Sequence, residues 1–258
     1  MHLVWAPLGT APLQRFLAAY GERDAGRAHR LTVVLNGFAS RAQAAAHERL
    51  LAEVEHDALL LERPVQDLLA YRAAAVATSE PVACFVNSFS RPLVDGWLER
   101  LCAPLARRGV GAVGATATYE SHLSSIEPRS PRAIADLARH ALVFPRFPNP
   151  SLRTNAFAIA PARYVDLAPR RLHSKFAAHA FESGRRGLTA QLRRRRLRPL
   201  VAGRDGRTYE IADWPRSATF RAGGQANLLV ADNRTDDWAN ADPARRDELT
   251  RMAWGTIL

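Results

Sequence analysis

An alternation in the first 120 residues constrains this chain more than any other feature. Short apolar runs take turns with segments whose apolar residues recur at helical spacing. Residues 3–6, 31–35, 58–61, 82–86 and 110–116 read as strands. Residues 13–20, 42–54, 65–77 and 93–105 read as helices. In the last of these, Leu93, Trp97, Leu98, Leu101 and Leu105 mark one face, and Pro104 ends or bends it. Strands joined by covering helices run parallel. The expected fold class is therefore α/β, with a mostly parallel central sheet flanked by helices. Ligands of such sheets bind at the carboxyl ends of the strands.

Beyond residue 120 the rhythm changes. Residues 126–132 look loop-like, 132–142 helical and 144–150 extended, because three prolines there remove donors and fix φ. Residues 153–160 and 198–202 read as strands, 183–195 and 243–254 as helices. There is no internal repeat and no long Gly/Ser linker. A chain of 258 residues suffices for one large α/β domain, with or without a C-terminal extension.

No stretch approaches the roughly 20 consecutive apolar residues of a membrane span. The first residues, Met1-His2-Leu3-Val4-Trp5, lack the basic and apolar regions of a signal peptide and read as a strand. Cys84 and Cys102 fall in a buried strand and on an apolar helix face. Two buried thiols suggest a reducing, cytoplasmic setting. Neither has a CxxC neighbour, so no zinc site is expected.

The net charge is +11 and the pI about 10.9. Such a chain attracts anions: nucleotides, acidic glycans, phosphorylated lipids or nucleic acid. A GC-rich genome produces the same excess of Ala and Arg, so composition alone does not choose. The run Arg193-Arg194-Arg195-Arg196 spreads charge around a helix end without interleaved aromatics, unlike a nucleic-acid platform. A solvated helix C-terminus accounts for it. It also suits peripheral contact with anionic membrane. No nucleic-acid partner is expected.

Residues 82–91, Val-Ala-Cys-Phe-Val-Asn-Ser-Phe-Ser-Arg, form the most telling string: a strand that stops at a polar tip. Other strings follow in order. They are Val113-Gly114-Ala115-Thr116 with Tyr119-Glu120-Ser121, the run 147–157, Phe181-Glu182-Ser183-Gly184-Arg185, Gly203-Arg204-Asp205-Gly206 and Ala231-Asp232-Asn233. Their order and spacing resemble the family 2 glycosyltransferases, which have the glycosyltransferase-A fold. The resemblance is nearest to a bacterial subgroup with an Asn-Ser-x-Ser tip in place of an acid-x-acid motif, and it covers nearly the whole chain.

The resemblance implies a nucleotide-sugar-binding half, residues 1–120, and an acceptor-side half, residues 121–258, within one domain. The donor would be a nucleotide diphosphate sugar. The acceptor would be a glycan or lipid-linked hydroxyl in surface-glycan assembly. Pro7 and Gly9, in the loop after the first strand, would lie beside the nucleotide. Asn36 would read a base edge or ribose hydroxyl, although Asn36-Gly37 is first a turn signal. Asn87, Ser88 and Ser90 would border the diphosphate. Amide and hydroxyl oxygens are weak ligands for Mg²⁺ or Mn²⁺, so weak or no metal dependence is expected, and no residue is assigned to a metal. Arg91 or Arg153 would neutralise phosphate instead. Asp95 reads as an acid at a helix start.

Glu120 would meet sugar hydroxyls, or else be a solvated loop acid. Arg153, Thr154 and Asn155 are costly to bury without partners and suggest a sugar or phosphate shelf. Glu182 would open a helix and take the acceptor's proton in an inverting reaction; helix capping is its structural alternative. His173, Ser174 and Lys175 read as surface or acceptor-side residues before that helix. Gln225-Ala226-Asn227 and Asp232-Asn233 would close over the site or cap secondary structure. The rival function is a non-catalytic nucleotide- or glycan-binding module.

Overall fold

The computed structural model describes residues 1–124, 131–172 and 174–256; residues 126–130 of the loop expected at 126–132, and His173, lie outside them, and residues 131 and 132 are helical. The opening elements are β1 (His2–Trp5), α1 (Ala11–Glu22), β2 (Thr32–Asn36), α2 (Arg41–Leu51), β3 (Asp57–Leu61), α3 (Asp67–Ala77) and β4 (Ala83–Val86). Then come β5 (Arg91–Pro92), α4 (Trp97–Cys102), β6 (Val110–Gly114), β7 (Ala117–Thr118), α5 (Pro131–Val143), β8 (Ser151–Leu152), β9 (Ala156–Ile159) and α6 (Pro161–Leu167). The last are α7 (Lys175–Ser183), α8 (Leu188–Arg194), β10 (Arg198–Ala202), β11 (Thr208–Tyr209), β12 (Val230–Ala231), α9 (Asn233–Ala239) and α10 (Pro243–Trp254).

Eight strands form one sheet in the order β11-β10-β6-β9-β4-β1-β2-β3. β1 pairs in parallel with β2 and β4, β2 with β3, and β6 with β10. β9 lies antiparallel between β4 and β6, and β11 is an antiparallel edge. The architecture is thus α/β with a mostly parallel central sheet and covering helices. From β1 the chain winds outward through β2 to β3 and then returns to place β4 on the other side of β1. A crevice opens at such a reversal, beyond the carboxyl ends of the strands.

Strand periodicity sends alternate residues to opposite faces. Leu3, Val34, Phe85 and Phe157 enter one core, with Tyr71 of α3 and Tyr164 of α6. Val4, Val33, Leu35, Cys84 and Ala158 enter the other, with Phe16 of α1 and Leu101 of α4. Burial on both faces makes β2 a nearly continuous apolar run, as parallel strands require. In the first core, the Phe85 ring lies 5.0 Å from Tyr71, 5.2 Å from Phe157 and 4.9 Å from Tyr164. Both cysteines are free and buried.

Four expectations are corrected. Residues 93–105 are not one helix: Arg91–Pro92 pairs antiparallel with Val230–Ala231, and α4 starts only at Trp97, after Gly96 at φ 70°. Asp95 therefore precedes the helix, and its Oδ1 accepts from the Asp24 amide at 3.1 Å. Residues 183–195 are not one helix either, because the chain breaks between Gly184 and Gly187. A Cβ at Gly184 would stand 2.4 Å from the Ala180 carbonyl oxygen, and one at Gly187 2.7 Å from that of Phe181. Helix α7, capped where the Ser174 hydroxyl accepts from the Ala177 amide, occupies the segment expected to precede a helix. The tail holds two helices, α9 and α10, where one was expected.

Among the described residues, no helix is long and apolar enough to cross a membrane.

Candidate functional site

The site grows from the ends of β4, β6 and β9. After β4 the chain closes a tight turn. The Asn87 side-chain oxygen accepts from the Phe89 amide at 3.0 Å and the Ser90 hydroxyl at 2.8 Å. The Asn155 carbonyl accepts from the Asn87 amide at 2.8 Å and the Ser90 hydroxyl at 3.1 Å. The tip is thereby locked to the start of β9. Ser88 and Ser90 are buried.

Asn155 continues the network. Its Oδ1 accepts from the Thr116 hydroxyl at 2.8 Å. Arg153 donates to that hydroxyl at 3.2 Å and to Asp232 at 2.6 Å, and its guanidinium lies 4.2 Å from the Phe220 ring centroid. Asp232 is buried and caps α9 through the Thr235 amide. Burial alone would raise its pKa. The Arg153 guanidinium and the backbone amides of Thr235 and Arg234 outweigh that and hold it below the usual value. Arg91 forms a bidentate pair with Asp236 at 2.7 and 2.8 Å. Buried Arg221 pairs with Glu120 at 2.7 Å.

Thr154 turns away from this network. Its hydroxyl donates to Glu182 Oε1 at 2.6 Å, and its carbonyl accepts from the Tyr71 hydroxyl at 3.3 Å. Arg153, Thr154 and Asn155 are therefore not one shelf but two faces of a turn. Glu182 does not open a helix; it lies in the last turn of α7, where the helix dipole disfavours a carboxylate. N-terminal capping is thus ruled out for it. Asp67, at the start of α3, shares this field. Desolvation and then the Glu182 charge raise its pKa to about 6. Asp67 itself is exposed, so water relieves part of the desolvation; the upward direction is what matters chemically.

Glu182 also lines a cleft of about 270 Å³ between residues 145–151, the end of α7 and the outer face of α8. Asn149 braces it by donating to the Ser183 carbonyl at 2.7 Å.

The remaining residues flagged from sequence fall elsewhere. Pro7 and Gly9 are exposed in a short 3-10 turn after β1, and the Gly9 carbonyl contacts the His47 ring at 3.1 Å. Asn36 is fully buried, and its amide is engaged on both sides by the Val65 backbone at 2.8 and 3.0 Å. Its burial presents no surface to a base or ribose. Gln225 donates to the Thr235 carbonyl, and Asn227 braces Ser217 and Tyr209, so both hold the tail together.

Sequence reasoning missed several participants. Trp5 is 39% exposed at the carboxyl end of β1, beside the crevice. Asp67, Asp236 and Arg221 are brought to the site by tertiary contacts alone. Only Trp5 carried a sequence signal, a large aromatic at a strand tip.

The oxygen set at the tip does not suit a hard dication. Asn87 Oδ1 already accepts two hydrogen bonds, and Asp232 and Asp236 are each paired with arginine. No group of three or more His, Cys, Asp or Glu that could hold a metal occurs among the described residues. Two buried donors here, Asn155 Nδ2 and Arg221 Nε, lack a hydrogen-bond partner among the described residues.

No family model matches this chain, and no curated protein matches it.

Proposed function

We propose that the protein is a glycosyltransferase of glycosyltransferase-A type, moving a sugar from a nucleotide diphosphate donor to an acceptor hydroxyl in surface-glycan assembly. The observation that carries this reading is the Arg153–Thr154–Asn155 turn. One side holds the polar tip at the sheet crevice, and the other holds Glu182 at the cleft. On this reading, one turn joins the donor side to the general base.

The donor would lie over the crevice at the ends of β1 and β4. Exposed Trp5 offers a stacking face for the base, and Gly9 lets the backbone approach. The orphaned donors Asn155 Nδ2 and Arg221 Nε suit oxygen atoms of the diphosphate or the sugar. On the cleft side, Glu182 takes the acceptor proton as that oxygen bonds to the anomeric carbon. The bond from that carbon to phosphate breaks, and the nucleoside diphosphate leaves with the electron pair.

A second reading, a nucleotide- or glycan-binding module without turnover, draws support from the two arginines nearest the tip. Arg91 and Arg153 already have their charge balanced by Asp236 and Asp232. Diphosphate binding through them requires those pairs to open or be shared.

Thermal-shift measurements with uridine, guanosine, thymidine and cytidine diphosphates, followed by turnover of the matching sugar nucleotides, separate the readings. A shift with turnover supports the transferase. A shift without turnover supports the module. No shift with any nucleotide removes the transferase and leaves of the module only its glycan-binding form.

A further inference from the structure

The cleft beside Glu182 has a charge pattern that the transfer reaction alone does not explain. Its volume of about 270 Å³ lies just below that of ordinary small-molecule sites, roughly 300–1,000 Å³. Helix α8 forms one wall, contributing Thr189, Arg193 and Arg194, and Arg185 follows the end of α7. The lining thus holds three arginines and one carboxylate, that of Glu182. The opposing wall includes the rings of Pro145, Pro148 and Pro150, and the lining contains no aromatic side chain.

Neighbouring arginines show what is unusual here. Arg195 pairs with Asp166, and Arg198 pairs with Glu210 at 2.8 Å. The guanidinium groups of Arg193 and Arg194 have no hydrogen bond or ion pair among the described residues. Arg185 reaches only the Ala141 carbonyl, at 3.3 Å. Uncompensated cations in a concave site with low-dielectric walls concentrate anions there. Guanidinium forks match phosphate oxygens in pairs. The absence of an aromatic ring disfavours a stacked base, so a second nucleotide is not the expected occupant. The proline rings offer an apolar face to a sugar or polyol.

We propose that this cleft binds the phosphate of a phosphorylated acceptor, with Arg193 and Arg194 as its specificity-determining residues. Its hydroxyl end would then face Glu182. The word acceptor rests on the transferase reading; phosphate binding in the cleft does not. The phosphate could be borne by a soluble phosphosugar or by a lipid headgroup, and the chemistry of recognition is the same.

The test uses the full chain and its R193Q/R194Q variant, in which both replaced side chains are exposed at a helix end. Inorganic phosphate is titrated calorimetrically at constant ionic strength in chloride. The wild type should bind, and the double variant should bind about tenfold more weakly, the loss expected when charge-assisted pairs are removed. Equal binding by both proteins, or binding by neither, overturns the proposal. Vesicles of phosphatidylcholine with and without phosphatidic acid identify the source. Binding that needs phosphatidic acid, is competed by phosphate and is lost in the variant supports a lipid headgroup. Phosphate binding without vesicle binding supports a soluble acceptor. Vesicle binding that the variant retains and phosphate does not compete counts against the cleft. Nucleoside diphosphate thermal shifts on the same two proteins keep the readings apart. If those shifts are absent while phosphate still binds, the transferase reading falls and the anion site stands.

Discussion

The Thr154 hydroxyl donates a 2.6 Å hydrogen bond to Glu182 Oε1, linking the turn before β9 to the last turn of α7. The bond orients one carboxylate oxygen; the other has no hydrogen bond among the described residues, and Glu182 lines the cleft. Glu182→Gln removes the proton acceptor but keeps the shape. Sugar turnover should fall by about 10²–10⁴-fold, the usual worth of a general base, while the nucleoside diphosphate thermal shift persists. Thr154→Val should cost less, about tenfold, since only orientation is lost. Full turnover in Glu182→Gln would remove this residue from the mechanism.

Asp232 is buried, salt-bridged to Arg153 and the N-cap of α9. Asp232→Asn strands the guanidinium and weakens the cap. Urea unfolding should show a loss of about 3–5 kcal/mol, the cost of breaking a buried pair. The folded pKa of Asp232 is depressed, so its contribution is complete above the ordinary carboxylate value of 3.8. It is lost as pH falls below that value and through the lowered folded one. A stability profile flat from pH 5 down to pH 2 would contradict this.

His2 is fully buried, stacked on Phe16 at 3.7 Å, and neither ring nitrogen has a hydrogen-bond partner among the described residues. Burial, and then the adjacent amino terminus, push its pKa down to about 3. His122 is lowered to about 4, chiefly by burial and then by His179 and His140. A depressed folded pKa means stability that is present above about 6.5 and drains away as pH falls below it. Fully buried His2 contributes a slope of up to about 1.4 kcal/mol per pH unit within its window, and partly exposed His122 contributes less because water screens it. His2→Phe should leave stability at pH 7 unchanged or higher, because unsatisfied nitrogens are removed. It should also flatten the decline between pH 6 and pH 4. A steeper decline in the variant would refute the assignment.

Gly184 lets the chain leave α7 within touching distance of the Ala180 carbonyl. Gly184→Ala should cost about 1–3 kcal/mol through overpacking. Glu182 is two residues away, so turnover should drop as well. Unchanged melting temperature and unchanged kcat together would show that the close approach is not needed.

The tip oxygens of Asn87 and Ser90 are engaged within the protein. Donor turnover should therefore persist in excess EDTA. A strict requirement for added Mg²⁺ or Mn²⁺ would show that other oxygens gather at the phosphates.

Much of the fold was legible because local chemistry and tertiary demand agree there. Val33, Val34 and Leu35 are apolar on both sides of the strand, as burial between two helix layers requires. The helices over residues 13–20, 42–54 and 65–77 carry their apolar residues at helical spacing, and α1, α2 and α3 appear there. Agreement ended where a distant partner decided the outcome. Arg91 and Pro92 lie between the polar tip and the segment expected as a helix from residue 93, but Val230 and Ala231 draw them into a ladder across nearly 140 residues of chain. The antiparallel insertion of β9 between β4 and β6 likewise has no local signature.

The candidate site divides in the same way. Position along the chain placed Asn87, Thr154 and Asn155 near strand ends and Glu182 at a helix start, and the structure places each of the four in direct hydrogen-bonded contact with another member of the set. Charge balance was not legible. Nothing near Arg91 or Arg153 in sequence foretells Asp236 and Asp232, which lie 145 and 79 residues away.

By itself, then, the sequence determined the layering of the first 86 residues: which segments are strands, which are helices, and that a polar edge lies beyond them. Periodicity is a local property and needs no partner to be read. Only the tertiary structure decided which arginines are neutralised, which remain free, and which end of a helix carries Glu182. Those outcomes depend on pairings between remote segments and on the two-glycine break after α7, and neither is set by periodicity.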